Sequence, residues 1–278
     1  MKRIFIYPIL LLALFSPSIA AHAQEIALQL YSLRNEMKED PVKSHQLIQN
    51  WGISALEGGG PYGMSDQEYS KLLEENQLRV IGVGADYKQL LQSLEPIISQ
   101  AKKYGAKYAT CYWIPHAESP ISLDEIKVAT ALFNEVGKQL KKEGITFLYH
   151  PHGYEFAKDG KGVVLDYMLN NAEHFAFNLD VFWVKMGGGD PLKIMKKNRG
   201  KFPILHLKDR KKGTPGSKDG RADIETNVVL GTGDINIAGI IKEAKKQGTE
   251  FLTIEDESSR SVTQIPLSVA FIQKELNR

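Results

Sequence analysis

LDEIKVATALFNEVGKQLKKEGITFLYHPH, residues 123–152, contains one full beat of the chain. Apolar residues return at three- and four-residue spacing through Ile126, Ala129, Phe133, Val136 and Leu140, which predicts an amphipathic helix over Leu123–Lys142. Gly144 can end that helix by taking left-handed backbone. The run Ile145–His150 that follows is rich in β-branched and aromatic residues, predicts a strand, and stops on His150-Pro151-His152.

The same beat recurs in both directions. Strand signals lie at Ile26–Leu33, Ile53–Glu57, Arg79–Ala85, Tyr108–Ile114, Ile145–His150, Ala176–Phe182, Phe202–Leu207 and Phe251–Glu255. Helical patterns between them include Ser65–Asn76, Lys88–Tyr104, Leu123–Lys142, Pro191–Arg199 and Ile237–Gln247, with Gly105, Gly144, Gly200 and Gly248 as stops. Eight βα units in one chain of this length predict an α/β fold, a (β/α)8 TIM barrel forming a single domain over residues 24–278. A doubly wound nucleotide-binding sheet is the competitor. It wants G-x-G-x-x-G or a P-loop, and neither Glu57-Gly58-Gly59-Gly60-Pro61 nor Gly187-Gly188-Gly189-Asp190-Pro191 has that form. The polar stretch Arg210–Asn227 reads as a long loop after strand seven.

The chain has 278 residues, 42% hydrophobic and 24% charged, which excludes disordered and fibrous classes. Lys2 and Arg3, then the apolar run Ile4–Phe15, then Ala21-His22-Ala23 describe a secretory signal peptide over residues 1–23. The run falls short of the ~20 residues that span a bilayer, so no membrane association is expected after cleavage. From a Gram-negative source the exported chain would be periplasmic. With Lys2 and Arg3 gone, the 35 basic residues fall to the number of the acids, 33, which argues against nucleic-acid binding. The lone Cys111 can form no internal disulfide and reads as a core residue.

In a barrel of this kind, chemistry belongs at the C-terminal ends of the strands. There the chain places Glu57, His116, His150, His152, Asp180, His206 and Glu255. A single His or Asp in a strand is more often a hydrogen-bonded structural residue than a ligand. Four of them, His150, Asp180, His206 and Glu255, follow one another at successive strand ends inside apolar runs. An unpaired buried carboxylate costs several kcal/mol by rough estimate, and a cation offsets that cost. The expectation is one divalent ion held by two imidazoles and two carboxylates. Mixed nitrogen and oxygen ligands suit Mn, Co, Zn, Ni or Fe better than Ca. Trp113 and Trp183, near strand ends, fit sugar-stacking walls or core packing equally.

On these residues the chain resembles the xylose isomerase-like TIM-barrel superfamily, which includes sugar phosphate isomerases/epimerases and the AP endonuclease family 2. The parts that carry the resemblance are the Asp180 strand, His206-Leu207-Lys208-Asp209, Val229-Leu230-Gly231-Thr232-Gly233-Asp234-Ile235-Asn236, and Glu255. Family ligands come from strands five to eight, commonly Glu, Asp, His and Glu; Asp180, His206 and Glu255 match, and His150 stands where epimerases place Glu. With export, that departure resembles the branch that processes 3-keto-glycosides. The resemblance implies a metal-dependent enzyme that removes a proton α to a carbonyl, a lyase that expels the aglycone by β-elimination. A sugar (phosphate) isomerase or epimerase is the alternative, and a non-catalytic sugar-binding barrel the second. Lys208 is the candidate base or oxyanion partner, and Glu255 and His152 complete the catalytic set. Glu57, His116 and Arg210, with Trp113 and Trp183, would hold the sugar or keto-glycoside. The oligomeric state stays open.

Overall fold

The computed structural model describes residues 24–278, so the signal segment read in residues 1–23 lies outside the described residues. Eight parallel strands close into a barrel: β1 (Glu25–Gln29), β2 (Ala55–Glu57), β3 (Arg79–Gly84), β4 (Tyr108–Cys111), β5 (Thr146–Tyr149), β6 (Ala176–Asp180), β7 (Ile204–Leu207) and β8 (Phe251–Ile254). Each pairs with its sequence neighbours, and β8 closes the ring onto β1. This is the (β/α)8 TIM barrel that the repeating beat predicts.

The strand period of two explains why the barrel has a chemical end. Ala27, Ala55, Ile81, Tyr108, Leu148, Ile204 and Phe251 fill the interior at the N-terminal end. Two residues further along their strands, Gln29, Glu57, Thr110, His150, His206 and Thr253 are all buried and polar. Another step of two reaches Tyr112, Lys208 and Glu255, while Asp180 stands one step beyond buried Asn178 on β6. The alternate positions, such as Leu28, Leu56, Phe147, Leu205 and Leu252, stay apolar and belong to the larger core beneath the helices. Inward positions thus change from apolar to polar along the barrel axis while outward ones do not.

Helix signals mostly hold their bounds, and Leu123–Lys142 matches residue for residue. Its N-terminus is closed by a capping box between Ser122 and Glu125. Inside it, Gly137 is required because a Cβ would collide with the His174 carbonyl. Gly105 and Gly248 end their helices in left-handed backbone as expected. The pattern Lys88–Tyr104 is two helices, Tyr87–Gln92 and Glu95–Tyr104, because Ser93 is extended between them. The predicted first strand stops at Gln29, and Leu30–Leu33 form a 3-10 turn. Asp180 ends β6 by capping the helix Val181–Met186, so the signal that reached Phe182 spans two elements. The stretch Arg210–Asn227 is a loop with tied ends, since Asp209–Arg210 pairs antiparallel with Asn227–Val228. Among the described residues no helix is long and apolar enough to cross a membrane.

Candidate active site

His150, Asp180, His206 and Glu255 come together at the polar end of the barrel, with one ligand atom from each lying within 4.8 Å of the others. All four are buried. Asp180 Oδ1 accepts from the backbone N–H groups of Phe182 (2.7 Å) and Trp183 (3.0 Å), whereas its Oδ2 has no hydrogen-bond partner among the described residues. Neither ring nitrogen of His150 has a partner either, and its Nε2 lies 3.7 Å from that Oδ2. Orphaned lone pairs in a protein interior are costly. Two aimed at one point, beside a second imidazole and a second carboxylate, are the donor set of a mixed N/O cation site. The four residues fit one divalent ion.

Burial and neighbouring charges set the protonation of the four. Burial, then the neighbouring His152 and His206 rings, hold His150 well below the ordinary imidazole range, leaving it neutral. Burial pushes Asp180 up to about 7. For His206 burial acts downward, yet the Glu57 and Glu255 carboxylates outweigh it and raise the ring to about 10. Its Nε2 is 2.8 Å from Glu57 Oε2 and its Nδ1 3.1 Å from Glu255 Oε2. The Nδ1 proton is the one a cation would displace.

Below the quartet, Glu57 is fully buried and its second oxygen accepts from Asn178 Nδ2 (2.6 Å) and Tyr112 OH (2.7 Å). Gln29 Nε2 donates to the same Tyr112 hydroxyl at 2.9 Å. These partners fix the tilt and tautomer of His206, as carboxylates behind metal-ligating imidazoles do.

Above the quartet lies a cavity of about 420 Å³ bordered by Trp113, Trp183, His152, Tyr31, Gly220 and Glu257. His152 Nδ1 lies 3.3 Å from the His150 carbonyl, so that nitrogen donates and the Nε2 lone pair is left for the cavity. Burial lowers His152 to about 4, which keeps the ring neutral. Its loop is held by the buried Glu155, whose two oxygens each accept from the His152 backbone N–H at 3.1 Å and which also takes the Tyr149 hydroxyl. Burial raises Glu155 to about 7.

A family model described as xylose isomerase-like TIM barrel matches residues 46–275. The chain belongs to that family. Solved structures agree on the fold of this xylose isomerase-like barrel. A sugar phosphate isomerase/epimerase from Parabacteroides distasonis is 23% identical, with 93% of this chain and 96% of that one covered and a TM-score of 0.72. The probable 3-DHS dehydratase AsbF of petrobactin synthesis from Bacillus anthracis is 14% identical, covers 90% and 99%, and scores 0.70. The IOLI protein, solved with a binding zinc atom, is 13% identical, covers 91% and 96%, and scores 0.66. No curated protein matches the chain.

Within this xylose isomerase-like barrel several expected substrate contacts move. Glu57 does not border the cavity; it is the buried partner of His206. His116 is engaged at both nitrogens, by the Ile114 carbonyl (2.7 Å) and Ser119 Oγ (2.8 Å), and packs behind Trp113. Arg210 is buried in a two-pronged pair with Asp234, Nη2–Oδ2 2.7 Å and Nε–Oδ1 3.1 Å, away from the cavity. The neighbouring Asp209 takes the backbone N–H groups of Gly231, Gly233 and Ile235, and a Cβ at Gly233 would collide with it. The Leu-Gly-x-Gly stretch is therefore a clasp between strand seven and its helix.

Of the two roles expected of Lys208, base or oxyanion partner, its surroundings favour the second. Burial acts against its charge, but Glu255 and Glu257 overcome this and raise it, so it stays an ammonium bonded to the Glu257 carboxylate. It contributes positive potential behind the cavity wall. Trp113 and Trp183 do border the cavity. Cys111 is fully buried with its thiol pushed up to about 12 by burial, a core residue and not a nucleophile. Gln29, Tyr112, Asn178, Glu155 and Glu257 escaped the sequence reading. For Gln29 and Asn178 the signal was present, a lone polar residue inside an apolar strand run.

Proposed function

We propose that this barrel is a divalent-metal-dependent, carbohydrate-active enzyme that removes a proton beside a ketone, and that its reaction is β-elimination of the aglycone from a 3-keto-glycoside. The observation that carries the proposal is one cavity bordered by His150, Glu255 and a fixed imidazole, His152, with an open Nε2, while Asp180 Oδ2, without a hydrogen-bond partner among the described residues, lies 3.7 Å behind His150 Nε2. A Mn, Co, Zn, Ni or Fe ion held by His150, Asp180, His206 and Glu255 would supply Lewis acidity toward a carbonyl and its neighbouring hydroxyl.

The chain's own residues account for the rest. His152 Nε2 is placed to accept the C2 proton, acidified by the ketone at C3. The C2–H electron pair becomes the C2=C3 bond as charge gathers on the C3 oxygen. Return of that charge breaks the bond from C1 to the aglycone oxygen, which takes the proton back from the His152 imidazolium. The products are an alcohol and a 1,2-unsaturated 3-keto sugar, with atoms balanced and no water consumed. Trp113 and Trp183 wall the ring, and Glu257, held by Lys208 behind it, borders its hydroxyls. Two-sided epimerisation is less well served, because His150 occupies strand five and Glu255 is already engaged by His206 and Lys208. The dehydratase relative, an eliminating enzyme by its name, supports the same choice.

A sugar isomerase or epimerase is the second reading, favoured by the name of the Parabacteroides relative. Export by residues 1–23 to the periplasm belongs to the proposal, since glycosides are available outside the cytoplasm. The test loads purified protein with Mn or Co and offers a 3-keto-glucoside. Aglycone release with an unsaturated sugar is expected. Release that survives full chelation overturns the metal role, and solvent deuterium uptake without aglycone loss selects the second reading.

A further inference from the structure

Trp113 is packed by three rings and still 39% exposed: Tyr154 lies at 4.8 Å, His116 at 5.3 Å and His152 at 5.5 Å between centroids. A further cavity of about 310 Å³ also meets this side chain. It is bordered by Gly84 at the end of strand β3, by Asp86, Tyr87 and Gln89 after it, and again by Tyr112 and Trp113. Tyr112 and Trp113 therefore border two cavities at once, the metal-side one of about 420 Å³ and this one. Each has about the size of a site for one small ligand.

We infer that the second cavity is a sugar subsite, and that Trp113 divides a two-ring substrate: the reacting ring over the quartet, a second pyranose between Trp113 and Gly84–Gln89. This rests on the carbohydrate reading of the site and adds the class of the group that leaves. The chemistry of the walls selects a hydroxylated ring over an apolar one. Trp113 and Tyr87 are its aromatic walls, while Asp86 and Gln89 are exposed and polar, with Asp86 Oδ1 accepting from the backbone N–H groups of Lys88 and Gln89. Gly84 keeps the floor open, as nothing lies within 4 Å of where its Cβ would be. The partition is built to stay put. His116 is held at both nitrogens behind Trp113, and Gly220 of the long loop packs so closely on Trp113 and Tyr154 that a Cβ there would collide with both.

The test is calorimetric binding of unreactive sugars to the Mn-loaded full protein: methyl β-glucoside against cellobiose and maltose. At least one disaccharide should bind about tenfold tighter than the methyl glucoside. Gly84→Leu, which fills open space from an ordinary backbone conformation, should abolish that difference, and Gln89→Trp on the exposed helix should do the same. Equal affinity for one-ring and two-ring sugars, or a preference that survives both variants, overturns the subsite and leaves the proposed activity standing. Failure of every sugar to bind overturns the carbohydrate reading itself, and the subsite with it.

Discussion

Glu57 Oε2 and His206 Nε2 lie 2.8 Å apart, both fully buried, at the floor of a four-residue cation site. A carboxylate that does not border the site cavity thereby decides which way a ligand imidazole faces. Glu57→Gln keeps the side chain's size but removes the charge that orients the ring. Metal affinity should fall about 10–100-fold, the usual cost of losing such a partner. Competition against a chelating dye measures it.

Asp180 has two duties on two oxygens, and two substitutions separate them. Asp180→Asn keeps a good helix cap, whereas Asp180→Ala loses the bonds to Phe182 and Trp183. Both should lose the rise in thermal stability that Mn gives the unchanged protein, about 2.7 kcal/mol at a hundredfold excess over Kd. Without metal, the Ala variant should be about 1 kcal/mol less stable than the Asn variant. Thermal melts with and without Mn read both effects.

His152→Ala should lower turnover of a 3-keto-glucoside by about 10²–10⁴, the range for a general base, with Mn affinity unchanged. Equal loss of turnover and Mn binding would instead make the ring part of the ligand set. Steady-state rates beside Mn titrations distinguish the outcomes.

Glu155 gives a pH signature. Its folded pKa of about 7 stands above the ordinary glutamate value of 4.5, so the stability it contributes is fully present below 4.5 and is lost as pH rises through 7. Glu155→Gln cannot ionise and escapes that loss. The variant should therefore gain on the unchanged protein by roughly 2 kcal/mol between pH 5 and pH 8. Urea midpoints at the two pH values measure it, and a constant difference would show the carboxyl to be ordinary.

The barrel, its strand runs and the four residues that converge were all legible in the linear chain. Strand parity and helix period are local, and a His or Asp inside an apolar run announces itself. The sequence alone therefore determined the (β/α)8 architecture and the four residues that converge at its polar end. What each does there was decided by partners far along the chain. Glu57 and Arg210 look like strand-end site residues, yet His206 lies 149 positions from the first and Asp234 24 from the second. Lys208 looks like a base until Glu257, 49 positions away, keeps it charged. His116 spends both nitrogens on Ile114 and Ser119 and becomes a support for Trp113. A residue's polarity is written in the sequence; its hydrogen-bond partner, and so its protonation and reach, depends on which strand ends the closed barrel brings face to face.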